Sequence, residues 1–315
     1  MRYAITLITA LGTVYCLVPA VRSLALQYGF VDRPAARKIH KHPIPLLGGV
    51  AIYAGCMAAL LLFIGWTPLT GAIVAGGAVL VAVGLVDDGF KTKGKEFPVW
   101  PRIVLYIAAS FVPVWFGIQV AGVSRWFGGG MLMLPEGINE LFTVIWIFAL
   151  INMFNFIDGV DGLAAGIAAI SSGTLFLVAL LKGQPQSAAA AAVLAGAALA
   201  FLAYNFYPAK IFMGDAGATF LGYALAVVAV DGAFKSATAL SILVPMLALG
   251  VPILDTAIVF TRRLIQGKGL HRADKLHTHH SLMHWGLSQR QTVSFLYLIG
   301  AVFSLLSIVL LLILA

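Results

Sequence analysis

The chain has 315 residues, 61% of them hydrophobic and 10% charged, with a mean hydropathy of +0.99; such values lie outside the range of soluble domains and leave no room for a separate one. A formal net charge of +8 would suit a nucleic-acid partner only on a polar, foldable surface, and here the cations sit in short loops between apolar runs, so nucleic acid is excluded. The two cysteines, Cys16 and Cys56, lie in apolar stretches, which supports neither a disulfide framework nor a zinc site and leaves them as packing residues.

Runs of about 17 to 25 apolar residues are long enough to cross a bilayer core as helices, and lipid cannot satisfy any open backbone. The expected fold is all-α and polytopic, with ten spans near residues 3–20, 47–66, 70–87, 102–121, 140–156, 161–181, 188–206, 217–233, 239–261 and 291–314. The first resembles a signal peptide, with Arg2 before an apolar run ending Val18-Pro19-Ala20. A retained span is preferred because parity then agrees with the later charges. With the N-terminus outside, one face collects Arg22, Arg33, Arg37, Lys38, Lys41, Lys91, Lys93, Lys95, Arg102, Lys210, Arg262, Arg263, Lys268, Arg272, Lys275 and Arg290. The other keeps Arg2, Arg125, Lys182 and Lys235. That bias makes the richer face cytoplasmic, puts the C-terminus outside and leaves residues 1–315 as a single transmembrane domain. The outward segment 122–140 reads as a small interfacial hairpin.

The loop after the first span carries Arg37, Lys38, His40, Lys41 and His42 before Gly48-Gly49, a set whose chemistry suits phosphate or sugar hydroxyls, the alternative being a topology signal alone. The third span ends in Asp87-Asp88 with Lys91. Adjacent carboxylates at a helix end next to lipid imply either a bound cation or one raised pKa; the bland alternative is a pair solvated by headgroups. The fifth span runs out through Asn152, Asn155, Asp158 and Asp161, whose spacing of three keeps them near one helical stripe. Capping of the next helix would explain Asp158 alone. Asp158-x-x-Asp161-Gly162-x-x-Ala165 begins like the CDP-alcohol phosphotransferase signature, but Gly166 stands where Arg is needed, and that reading is rejected.

Asn205 and Lys210 precede Phe212-Met213-Gly214-Asp215-Ala216-Gly217. Asp215 is expected either to cap the eighth helix or to hold the Mg²⁺ of a diphosphate attracted to a helix N-terminus. In the ninth span Asp255 lies about two turns from Arg262, and an ionisable group at that depth is a functional candidate by default. Asp231 is expected to be boundary charge. The last long loop holds His271, Arg272, Asp274, Lys275, His277, His279 and His280. Without Cys or an HExxH helix, this set suits phosphate or sugar hydroxyls better than zinc.

Taken in order, Arg37-Lys38-x-His40, Asp87-Asp88-x-x-Lys91, Asn152-x-x-Asn155-x-x-Asp158-x-x-Asp161-Gly162, Phe212-Met-Gly-Asp215-x-Gly217 and His277-x-His279-His280 resemble the polyprenyl-phosphate N-acetylhexosamine-1-phosphate transferases over nearly the whole chain. The spaced histidines resemble the WecA and TagO branch rather than the phospho-MurNAc-pentapeptide transferases, while Lys275 and Ala218 stand where that branch often has Arg and Ser. The resemblance implies a bacterial inner-membrane enzyme, a homodimer, that joins a UDP-N-acetylhexosamine, UDP-GlcNAc first among them, to undecaprenyl phosphate at a cytoplasmic site. Release of UMP would begin a cell-surface glycan such as O-antigen, lipopolysaccharide or teichoic acid. It further implies Mg²⁺, with Mn²⁺ as an alternative, on Asp215, and the lipid phosphate and its deprotonation at Asp87 and Asp88. Asp158 with Asn155 would orient nucleotide or sugar, and Asn205, Asp161 and Phe212 would lie near uridine. Arg272, His277, His279 and His280 would hold phosphate and sugar, with Lys38, His40, Lys91 and Asn152 completing the substrate-binding set. The rival from another class is a secondary transporter of anionic solutes, which would place its polar groups near the midplane of repeated halves.

Overall fold

The computed structural model describes residues 1–34, 42–120, 122–124, 131–133, 135, 137–232, 240–265 and 277–314. In chain order the helices are α1 (Arg2–Gln27), α2 (Gly48–Phe63), α3 (Pro68–Thr92), α4 (Val99–Trp115), α5 (Ile138–Ile157), α6 (Leu163–Leu181), α7 (Pro185–Asn205), α8 (Gly214–Gly232), α9 (Leu240–Ala248), α10 (Gly250–Ile265), α11 (Thr278–His284) and α12 (Gln289–Leu314). The expected spans fall on α1 to α8, on the pair α9 and α10, and on α12. Among the described residues, seven helices (α1, α3, α5, α6, α7, α8 and α12) are long and apolar enough to cross a membrane, and α2 and α4 are shorter apolar helices.

The expected ninth span is broken at Leu249. Pro252 has no N–H to give the Ala248 carbonyl and its ring crowds that group, so the helix stops and restarts. The segment expected to face outward does contain a hairpin: β3 (Gly122–Ser124) pairs antiparallel with β4 (Met131–Met133). A second ribbon, not foreseen, joins β1 (Val31–Asp32) to β2 (Ile44–Pro45). The Phe212 N–H donates to the Pro45 carbonyl at 2.8 Å, and the Gly48 and Gly49 N–H groups donate to the Phe212 and Met213 carbonyls. The first loop is thereby tied to the start of α8.

Helix α8 is the axis of the bundle. Its residues from Ala216 to Gly232 are all buried, by contacts with α2, α3, α5, α6 and α7, as expected of a helix apolar on every side. Small residues permit this crowding. A side chain at Gly84 of α3 would collide with the backbone of Ala216, one at Gly49 with Gly217, and one at Gly222 with Leu150 and Phe154 of α5. At the far end of α8, Asp231 is buried rather than a boundary charge, and accepts a hydrogen bond from Ser187 Oγ at 2.5 Å. Cys56 is packed in the core as expected, whereas Cys16 lies exposed on α1.

Candidate active site

The C-terminal turn of α3 meets the N-terminus of α8. Gly214 opens α8 at φ +66°, and a Cβ there would strike the Asp88 carboxylate, so glycine is required both for the backbone and for the space. Asp88, 1% exposed, accepts the Asp215 and Ala216 N–H groups at 3.2 and 3.4 Å. The cap of α8 therefore comes from another helix, with a carboxylate at the positive end of the helix dipole. Asp215 is not that cap, which leaves its side chain for other work.

That side chain joins an ion cluster. Lys91 Nζ lies 2.6 Å from Asp215 Oδ1, 3.4 Å from Asp87 Oδ2 and 3.7 Å from Asp88 Oδ1. Arg102 Nη1, from the start of α4, lies 3.1 Å from Asp87 Oδ2 and 4.0 Å from Asp215 Oδ2. Three carboxylates thus face two cations, and the Asp87 and Asp215 carboxylates are within hydrogen-bonding reach of each other. Two carboxylates this close need a shared proton or a cation beside them, and Lys91 and Arg102 each touch both. In the sequence Arg102 reads only as topology charge, and Tyr106, one turn further along α4, reads as one more residue of an apolar span. Their spacing of four residues on a helix is the signal that could have found them.

The loop between α5 and α6 is held rigidly beside the cluster. Gly162, at φ +81°, has its N–H bonded to Asn205 Oδ1 at 3.0 Å and its carbonyl bonded by the Tyr297 hydroxyl at 2.5 Å. Asn205 spends its other end on the Ile211 carbonyl at 2.9 Å, and Asp161 Oδ2 accepts the Ala209 N–H at 2.9 Å. Both residues, which the resemblance places near uridine, also fasten α6, α7 and the 205–211 turn to one another. Asn152 likewise donates to the Phe148 carbonyl of its own helix at 2.7 Å, while Asn155 is half-buried. Asp158 ends α5 rather than capping α6, whose N-cap is Gly162. Burial raises the Asp158 pKa well above the usual carboxylate range, and the negative charges of Asp215 and Asp88 raise it further.

The histidines arrive on α11. Asp255 of α10, 4% exposed, accepts from Thr278 N–H at 2.6 Å and pairs with His277 Nδ1 at 2.7 Å. It fixes both the start of α11 and the orientation of the His277 ring, which stacks on His279 with centroids 5.6 Å apart. His277 also meets Phe156, and His279 Nε2 abuts Gly159, so this segment packs against the Asp158 loop. His279 is 1% exposed at the edge of an apolar cavity of about 30 Å³ walled by Ile157, Leu163, Val251 and Leu296. Burial, and then the charge of His280, lower its pKa to about 3. Phe212 contributes its backbone to the Pro45 and Gly48 contacts and is half-buried. Lys38, His40 and Arg272 lie outside the described residues.

Among the described residues no three His, Cys, Asp or Glu side chains close round a point as a protein-only metal cage would. The contact between Asp87 and Asp215 fits a different arrangement, in which one or two carboxylates share a hard divalent cation with the oxygens of a phosphate ligand. Lys91 and Arg102 would then face the ligand as well as the acids.

The glycosyl transferase family 4 profile matches residues 70–233. Over 98% of its length the chain is 37% identical to a probable undecaprenyl-phosphate N-acetylglucosaminyl 1-phosphate transferase of Bacillus subtilis, of which 85% is covered. It is 33% identical, over 92% of its length and 78% of the relative, to a decaprenyl-phosphate N-acetylglucosaminephosphotransferase of Mycolicibacterium smegmatis. A third relative, the undecaprenyl-phosphate alpha-N-acetylglucosaminyl 1-phosphate transferase of Escherichia coli, is 29% identical over 89% of this chain and 76% of its own. Similarity of this extent, running through the α3 and α8 ends that build the ion cluster, means that the chain belongs to glycosyl transferase family 4.

Proposed function

We propose that this integral membrane protein transfers N-acetylglucosamine 1-phosphate from UDP-N-acetylglucosamine to undecaprenyl phosphate. A phosphate oxygen of the lipid attacks the β-phosphorus of the donor, the bond from that phosphorus to the bridging oxygen breaks, and UMP leaves with the bridge. The products are UMP and undecaprenyl-diphospho-N-acetylglucosamine. The carrying observation is the convergence of Asp87, Asp88 and Asp215 with Lys91 and Arg102 at one end of the bundle. The names of the relatives support the donor and acceptor. The positive-charge bias supports a cytoplasmic position for this end, in the bacterial plasma membrane with both termini on the opposite side.

In this reading Asp215, with Asp87 beside it, holds Mg²⁺ or Mn²⁺, which when bound offsets charge on the transferring phosphoryl group. Asp87 faces the lipid phosphate and accepts any proton it carries. Asp88 holds α8 in place through the Asp215 and Ala216 amides, which keeps the metal-binding carboxylate aimed. Lys91 and Arg102 neutralise the two anionic substrates, and Asp158 with Asn155 orients the nucleotide sugar. Asp255 aims His277, and the His277–His280 segment closes the sugar side.

The test is incubation of the purified protein with UDP-N-acetylglucosamine, undecaprenyl phosphate and Mg²⁺. UMP should appear only when lipid and cation are both present. Release of UDP would indicate ordinary glycosyl transfer and reject the reaction, whereas preference for UDP-MurNAc-pentapeptide or another UDP-N-acetylhexosamine would reject the substrate alone.

A further inference from the structure

Tyr106 lies in α4 one turn beyond Arg102, and a spacing of four puts the two side chains on one helix face. That face is turned to the carboxylates. Arg102 reaches Asp87 at 3.1 Å, and the electrostatic surroundings of Tyr106 are Asp215, Arg102, Asp87 and Asp88. The tyrosine is 3% exposed, yet its hydroxyl has no hydrogen-bond partner among the described residues.

A buried tyrosine normally has its O–H bonded, and a hydroxyl removed from water without a partner costs its full desolvation. Phenylalanine would fill the same space without that penalty, so packing does not account for the oxygen. The neighbouring cations are already engaged with carboxylates. None of the nearby carboxylates bonds the hydroxyl, which leaves it open to an acceptor that arrives from outside.

We propose that Tyr106 is a ligand-binding residue of the charged end: its O–H donates to a non-bridging oxygen of a phosphoryl group held beside Asp87 and Asp215 with a divalent cation. This rests on the phosphoryl-transfer reading above. The oxygen belongs either to the diphosphate of the nucleotide sugar or to the phosphate of the lipid acceptor, two sources of the same chemistry.

The test uses the full-length Tyr106→Phe variant in detergent, with inorganic pyrophosphate and Mg²⁺ as the probe in calorimetry. Freed of the unpaired hydroxyl, the variant should melt no lower than the wild type, and it should bind pyrophosphate roughly tenfold more weakly, the loss expected for a hydrogen bond to a charged group. In turnover assays, a raised KM for UDP-sugar assigns the oxygen to the donor, and a raised KM for undecaprenyl phosphate assigns it to the acceptor. Unchanged pyrophosphate affinity, absence of binding by the wild type, unaltered KM for both substrates, or a loss of affinity that merely tracks a fall in thermal midpoint would each overturn the assignment. Tyr106-dependent pyrophosphate binding in a protein that releases no UMP would instead sustain the residue and reject the reaction.

Discussion

Two buried acidic sites stand at the same end of this bundle and do opposite things. Asp255 has both of its oxygens spent within the protein, one on the Thr278 N–H and one on His277. The Asp87, Asp88 and Asp215 group shares two cations among three carboxylates, and two of those carboxylates lie within hydrogen-bonding reach of each other. An acid in an apolar chain is thus either a fastener or a site, and the number of partners left over tells which.

The contrast can be broken first at Asp215. If its negative charge holds a cation, Asp215→Asn should lower turnover by about a thousandfold, corresponding to several kcal/mol of lost electrostatic stabilisation. The amount of folded protein should change little, because α8 keeps its cap on Asp88. Near-normal UMP release by the Asn variant would put Asp215 among the fasteners.

The second test strikes the fastener. Asp255→Ala leaves a buried N–H and a histidine without their acceptor, so the thermal midpoint should fall with a stability loss of about 3 kcal/mol. Turnover should drop far less than for Asp215→Asn. In a double-mutant cycle with His277→Ala the two losses should be strongly coupled. Independent losses, or an effect on turnover as large as that at Asp215, would remove the distinction between the two regions.

The smallest effect concerns acid. His279 is buried neutral, with a pKa near 3 against 6.5 for the free side chain. Below pH 6.5 the unfolded chain therefore binds a proton that the native state refuses, and stability falls as pH falls toward 3. At pH 5 the loss should be about 2 kcal/mol relative to neutral pH. Thermal melts of wild type and His279→Leu over this range would check it, since the leucine variant should lose that part of the acid sensitivity.

Much of the charged end was legible because an apolar chain has few reasons to carry Asp87, Asp88, Asp158 and Asp215 at span ends. Their partners were less so. Arg102 at a span boundary reads as orientation, and Tyr106 within a span reads as an apolar residue, until α4 is laid against α3. The exchange of capping duty from Asp215 to Asp88 depends on Gly84 letting α3 touch α8, a contact between residues distant in sequence. For Asn205 and Asp161 the motif resemblance implies a place near uridine, and it carries no sign of the hydrogen bonds that the 205–211 turn and the Gly162 clamp add to both residues. The break at Leu249 was in plain view at Pro252, yet hydropathy averages over a single missing N–H.

That break also sets an angular tolerance. Asp255 stands six residues beyond Leu249, roughly 9 Å along the helix at about 1.5 Å per residue. A tilt of α10 by about 10° around the break would carry the carboxylate sideways by about 1.6 Å, enough to open a hydrogen bond whose useful range spans only a few tenths of an ångström. The short helix α10 is thus a lever with its pivot in the apolar layer and its working tip on the His277 ring, and the aim of that ring is only as good as the lateral packing that keeps the lever upright.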